Sequence, residues 1–517
     1  MSTIPLPHDD SPRRRSPVPG IPSRASASRA ATAAAPAHGA TYFRELLLAA
    51  HVLTSIAVLL ATYLQMPPSV SDWRHLQAQL LYAVITGLMI TRLRTLTHLL
   101  YPSGVFMVYT YLAYFVKSAM LFDQDLYFRN WITLNSPLAH ATLEDWASAI
   151  WLAAWGIVFF AAGYWAVGRF TRPSPEVPAT RRQDTGGAVL WLLAAGAFMV
   201  LLRVFVTRTL GMGASYQASE KLFLIPGLAG FLSLFSLWGG RIVLTAAMAM
   251  SITARSKAGV AIAFLESLAM GALSTISTGS KSELMLLFVV IAVCVFLLRR
   301  SMNRTTFLGA SLATAVVVIA VVFVYPAFHY YRYVRNDVDI ISYLQQSKSE
   351  MGLTRGARDV LRRLNGCGLL TLVVSYYEIG GQRPELCLNY QPFIVRDLFG
   401  VPDRAVMGIG LGPFAGMLLL GGWTLFPLLA VGAGAVMRTI EAFIHRALPG
   451  IELRVTLLAN ITVWLLVFMM FSGHFIFDAK TMLGMLCGTA FCALVIEFGN
   501  AVHAGQRGLA TQPRRFA

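Results

Sequence analysis

Charge is what this sequence has least of. Only 13% of its 517 residues are charged, and acids are the scarcest, with 25 Asp and Glu against 42 Lys and Arg. Soluble domains carry about 25% charged residues. With 56% hydrophobic residues and a mean hydropathy of +0.61, a water-surrounded globule is excluded. Strands of alternating residues about ten long do not recur, which excludes an outer-membrane barrel. No Walker motif occurs, so nothing indicates ATP. Cysteine is rare too, with five in the chain. Cys294, Cys487 and Cys492 fall in apolar runs, where small buried thiols are ordinary. Cys367 and Cys387 share a polar loop where a disulfide is permitted, and sequence leaves their pairing open.

What the sequence does have is apolar runs of helical length. Twelve spans are expected, near 45–64, 78–96, 99–121, 147–168, 186–206, 222–252, 258–276, 283–298, 307–326, 423–443, 453–472 and 475–497. The fold class is therefore all-α and polytopic, about twelve transmembrane helices with one large external loop. The sixth run is too long for one straight crossing, and Gly239-Gly240-Arg241 marks an expected break. The glycine-rich stretch 407–420, "GIGLGPFAGMLLLG", reads as a re-entrant or interfacial piece rather than a thirteenth span. Residues 1–44 are rich in Pro, Ser, Ala and Arg and are expected to be a disordered basic cytoplasmic tail, with no cleaved leader.

Basic residues set the orientation. With both termini inside, the short cytoplasmic segments and tails hold 23 Lys and Arg, and the four short external segments hold five. The positive-inside rule counts short loops and exempts long ones. The chain then divides into tail 1–44, helices one to nine over 45–326, an external loop 327–405, the re-entrant piece with helices ten to twelve over 406–497, and a tail 498–517.

On that topology the stretch Ser274–Glu283, "STISTGSKSE", is an outward hairpin between the seventh and eighth spans. Ser280 and Glu283 have capping-box spacing, which accounts for both. Lys281 is left over. A helix N-terminus with an adjacent ammonium suits a phosphate, and a lysine there can equally snorkel to lipid headgroups. The long external loop carries nine Arg and one Lys against eight acids. It opens with His329, Arg332, Arg335 and Asp337 among aromatic residues. Arg355, Arg358 and Arg362 lie further along at helical spacing, and the apolar run 368–377 leads to Glu378. Arginine binds phosphate bidentately, so the cluster reads as an anion site, although any single arginine is more simply a solvated or salt-bridged one.

This layout resembles the Wzy-type O-antigen and exopolysaccharide polymerases. The resemblance lies in an outward Gly279-Ser280-Lys281 hairpin, an arginine-rich external loop after the ninth span, a glycine-rich segment and three closing helices. The family often has Gly-Ser-Arg where this chain has Lys281. Arg355 and Gly366 match its Arg, ten residues, Gly spacing only as chance would.

What the resemblance implies is polymerisation of undecaprenyl-diphosphate-linked repeat units into O-antigen, capsule or exopolysaccharide on the periplasmic face of a bacterial inner membrane. No nucleotide sugar or other cofactor is needed. A flippase and a chain-length regulator of the same pathway are the implied partners, and no nucleic acid. Lys281, Arg332, Arg335, Arg355 and Arg358 would hold the leaving diphosphate, and Glu378, His329 or Asp337 would act as base. The loop would roof a cavity open to the membrane. Two alternatives stay open: a secondary transporter or flippase for a lipid-linked or anionic solute, and an O-antigen ligase using the same donor. Asp123 and Asp125 are two carboxylates without further ligands, so no metal is expected. His474, Asp478 and Lys480 cluster near the outer end of the last span, and Arg241 and Glu266 are placed to form an ion pair.

Overall fold

A computed structural model describes residues 24–65, 73–93, 96–119, 143–170, 186–209, 228–278, 281–324, 326–327, 340–357, 412–447, 450–467 and 479–510. Every regular element among them is helical. In chain order they are α1 (Arg24–Gln65), α2 (Arg74–Thr91), α3 (Pro102–Thr110), α4 (Leu143–Phe170) and α5 (Gly186–Val204). Then come α6 (Leu228–Leu234), α7 (Gly240–Thr253), α8 (Lys257–Thr278), α9 (Lys281–Leu297), α10 (Arg304–Val324) and α11 (Ile340–Gln346). The last three are α12 (Pro413–Ala447), α13 (Ile451–Val467) and α14 (Ala479–Ala510).

Eight helices among the described residues are long and apolar enough to cross a bilayer, and the apolar helices Pro102–Val116 and Leu286–Leu297 are shorter. The protein is an all-α membrane protein. Of the twelve expected spans, those near 78–96, 99–121, 283–298 and 453–472 are not among the eight; α2 carries buried polar His75, Gln79 and Thr86, and α13 has only 17 residues. The first membrane-length stretch begins at Phe43, but its helix starts at Arg24, inside the segment expected to be disordered. That segment is alanine-rich, and alanine is the strongest helix former.

Two packed groups make the bundle. Helices α1 to α4 and α12 form one, and α5 to α9 with α14 form the other. Helix α13 lies between, touching α3, α7 and α9. Helix α7 is the centre: every residue from Gly240 to Ile252 is buried. Helix α10 is the rim, with only 11% of its apolar window covered.

Without apolar solvent contrast, helices in a membrane associate where small residues let backbones approach. The α4–α12 pair follows that rule twice. A Cβ at Gly163 would collide with the Val431 carbonyl, and one at Gly434 with the Phe160 carbonyl. The glycines expected to break the sixth run act the same way. Gly239 and Gly240 keep helical backbone angles, and a wide π turn, Phe235–Gly239, passes the chain from α6 into α7. Gly239 lies against Gly488 of α14 and Gly240 against Met199 and Met270, so close packing rather than a break explains them.

Helix α12 is not one straight rod. Gly422, at φ 58° and ψ −165°, is non-helical. Phe414 and Phe426 are ring neighbours at 6.3 Å, whereas twelve residues of straight helix would separate them by about 18 Å. Residues 413–421 therefore fold back on residues 423–447. Residues 412–419 are all buried, with Phe414 packed among Phe106, Tyr114 and Gly156. Of the stretch 407–420, residues 407–411 lie outside the described residues.

Candidate functional site

Helices α5 and α8 share a seam and run in the same direction. Gly196 meets Glu266, and two turns further along, about 11 Å of rise, Arg203 meets Ser274, its Nε donating to Ser274 Oγ at 3.2 Å. Arg203 is only 2% exposed. It closes the regular part of α5, and the wide π turn Phe205–Thr209 comes next. Thr207 is held to that turn by a hydrogen bond from its Oγ1 to the Arg203 carbonyl at 2.8 Å.

Ser274 opens the "STISTGSKSE" stretch. It lies one turn before the end of α8 at Thr278, and α9 begins at Lys281. The two helices close tightly below the turn because Gly271 has no side chain to meet Leu284. Arg203 of α5 is thus anchored one turn before the end of α8. Beside Ser274, the buried Thr275 Oγ1 has no hydrogen-bond partner among the described residues. A guanidinium stripped of water is a stronger partner for phosphate oxygens than a solvated one. With neighbouring hydroxyls, it makes this lip of the bundle suited to an anion.

Of the residues singled out by sequence, Lys281 is the first residue of α9. Arg355 is exposed in the helical turn 353–357. That turn docks on the end of α10: the Gly352 N–H donates to the Phe323 carbonyl at 3.1 Å, and Gly356 sits against the Val322 carbonyl. Tyr343, from α11, donates its hydroxyl to the Ala327 carbonyl at 2.7 Å. The beginning of the long loop is thereby fixed to α10. Glu378, His329, Asp337, Arg332, Arg335 and Arg358 lie outside the described residues, as do Asp123, Asp125, Cys367, Cys387, His474, Asp478, Gly279 and Ser280.

The expected Arg241–Glu266 pair does not form. The Arg241 guanidinium lies over the Trp238 ring, 4.7 Å from its centroid, while Glu266 turns to Gly196, where its Oε2 has no hydrogen-bond partner among the described residues. Trp238 lies within the π turn, two residues before the start of α7, and offers the guanidinium a ring face there.

Sequence reading also missed a second buried cluster. Glu441 of α12, 1% exposed, accepts hydrogen bonds from the Ser103 N–H at 3.0 Å and the Ser103 hydroxyl at 2.6 Å. The Tyr164 hydroxyl donates to its other oxygen at 2.8 Å. Arg438 lies 3.7 Å away and donates to the Tyr164 oxygen at 3.2 Å. Every oxygen is used, and the carboxyl caps the first turn of α3, so this cluster ties three helices together. The signal for it was a lone acid in an apolar run. Arg203 gave a similar signal, a lone base ending such a run, but only the α5–α8 seam reveals its neighbour.

Among the described residues, no group of three or more His, Cys, Asp or Glu converges as metal ligands would. No family model matches the chain, and neither the curated proteins nor the solved structures include a match.

Proposed function

We propose that the protein polymerises lipid-linked oligosaccharide repeat units, transferring a growing glycan from undecaprenyl diphosphate to the next unit on the periplasmic side of a bacterial inner membrane. The observation that carries this reading is Arg203 held against Ser274 where α8 turns toward Lys281. A diphosphate leaving group needs several cations, and a preorganised one outperforms water. In this reading the chain crosses the membrane twelve times with both termini cytoplasmic. The external loop completes the anion site with Arg332, Arg335, Arg355 and Arg358, and Glu378, His329 or Asp337 removes the acceptor proton. The undecaprenyl-diphosphate-linked glycan is the substrate, and a flippase and a chain-length regulator are the partners. An O-antigen ligase would use the same donor site with a different acceptor.

The test is glycan length in cells whose own polymerase gene is deleted. Lys281→Ala and Arg203→Ala should each abolish long polymer while protein level and single repeat units persist. Lys281→Arg should retain polymer. Normal chain lengths in both alanine variants would remove the anion site and the proposal with it.

Glu266 favours a second reading. A carboxyl inside a membrane helix is a default candidate for a proton or ion path, so the protein would be a secondary transporter of a lipid-linked or anionic solute. Glu266→Gln separates the two readings: polymer length is unaffected in the first, and solute transport is lost in the second.

A further inference from the structure

A groove of about 510 Å³ runs between α8 and α10, bounded by Lys257, Phe264, Leu265, Thr305, Gly309 and Ala313 among its lining residues. It lies at the Lys257 end of α8, the opposite end from the hairpin, so it is separate from the anion site proposed above. From Thr305 to Ala313 the helix rises about 12 Å, close to the ~15 Å of hydrocarbon in one leaflet. The walls are apolar almost throughout, and a cationic rim closes one end. Lys257, Thr305 and Thr306 line that end, Arg255 and Arg304 are exposed within two residues of Lys257 and Thr305 along the chain, and no acid occurs in 253–262 or 299–310.

We infer that this groove is a binding site for an anionic phospholipid, with one acyl chain lying along Phe264, Gly309 and Ala313 and the phosphate at Lys257 and Thr305. Charge selects the headgroup: three cations that form no ion pair among the described residues favour a lipid with net negative charge over a zwitterionic one. Shape selects a flexible chain. Thr305, Gly309 and Ala313 are spaced as in a small-residue helix contact, but such a contact needs backbones to approach. Phe264 and Leu265 stand on the facing wall and keep a second helix away. An acyl chain bends around them.

Native mass spectrometry of the full-length protein in detergent tests this, with phosphatidylglycerol and phosphatidylcholine of identical acyl chains as probes. One phosphatidylglycerol should be retained in preference to phosphatidylcholine. Lys257→Ala should lower its occupancy by about fivefold, the effect of one basic residue near an anionic headgroup. Gly309→Leu should abolish retention without lowering the thermal midpoint, because a Cβ at Gly309 meets nothing within 4 Å. Equal retention of the two lipids overturns the inference, as does unchanged phosphatidylglycerol in both variants. A dimer in the parent that Gly309→Leu dissociates also overturns it, and assigns the groove to a second helix.

Discussion

Replacing Glu441 by alanine should be among the most destabilising single changes in the chain. The carboxyl takes hydrogen bonds from the Ser103 N–H, the Ser103 hydroxyl and the Tyr164 hydroxyl, and sits 3.7 Å from Arg438. Alanine offers none of these groups an acceptor. The Tyr164 oxygen keeps its contact with Arg438, and a hydroxyl is free to rotate toward another acceptor. The Ser103 amide, in the first turn of α3, has no such alternative; leaving it buried and unmet costs about 1–3 kcal/mol. Arg438 also loses its acidic neighbour, but its side chain is 20% exposed and keeps Tyr164, so this adds at most about 1 kcal/mol.

Glutamine in place of Glu441 is the informative control. Its carbonyl oxygen still accepts from Ser103, and its amide can donate to Tyr164, so the loss should be about 1 kcal/mol. Equilibrium unfolding of the purified protein in mixed micelles measures both variants. A double-mutant cycle with Ser103→Ala should give a coupling of at least about 1 kcal/mol, because the two residues share one network. The reasoning fails if Glu441→Ala unfolds within about 0.5 kcal/mol of the parent, the range of an ordinary surface substitution.

Glycine positions supply two further expectations. Gly434→Ala and Gly163→Ala should each lower the thermal midpoint, since the added methyl meets a backbone carbonyl of the opposite helix, whereas Gly432→Ala, with open space at its Cβ, should be neutral or slightly stabilising. Equal midpoints for all three would show that α4 and α12 do not approach as described. Gly422→Ala should cost about 1–3 kcal/mol, because its φ of 58° and ψ of −165° lie in a region open almost only to glycine; an unchanged unfolding curve would mean that α12 runs straight there.

Composition and run length alone determined that this chain is helical and membrane-embedded. Few charges and apolar runs of spanning length leave the backbone no other way to satisfy its hydrogen bonds in lipid. The same pattern located the hairpin between α8 and α9, because Ser274–Glu283 is a polar interval between two such runs. Hydropathy could not say which faces meet. Along α5, Arg203 is one base among apolar neighbours, and nothing near it in sequence names Ser274, 71 residues away, as its partner. Glu441 and Ser103 are 338 residues apart, and Arg241 and Glu266 look suited to each other until the Trp238 ring and Gly196 claim them. Glycine showed the same divide. Gly239 and Gly240 suggest a break when read locally, yet they serve the approach of α14 and α5. Gly422, in an apolar run with no polar signal, is where α12 folds back. In a membrane both faces of a helix are apolar, so periodicity carries little of the contact information it holds in water. Which small residue meets which backbone, and which buried polar group finds which partner, was settled only when the helices packed.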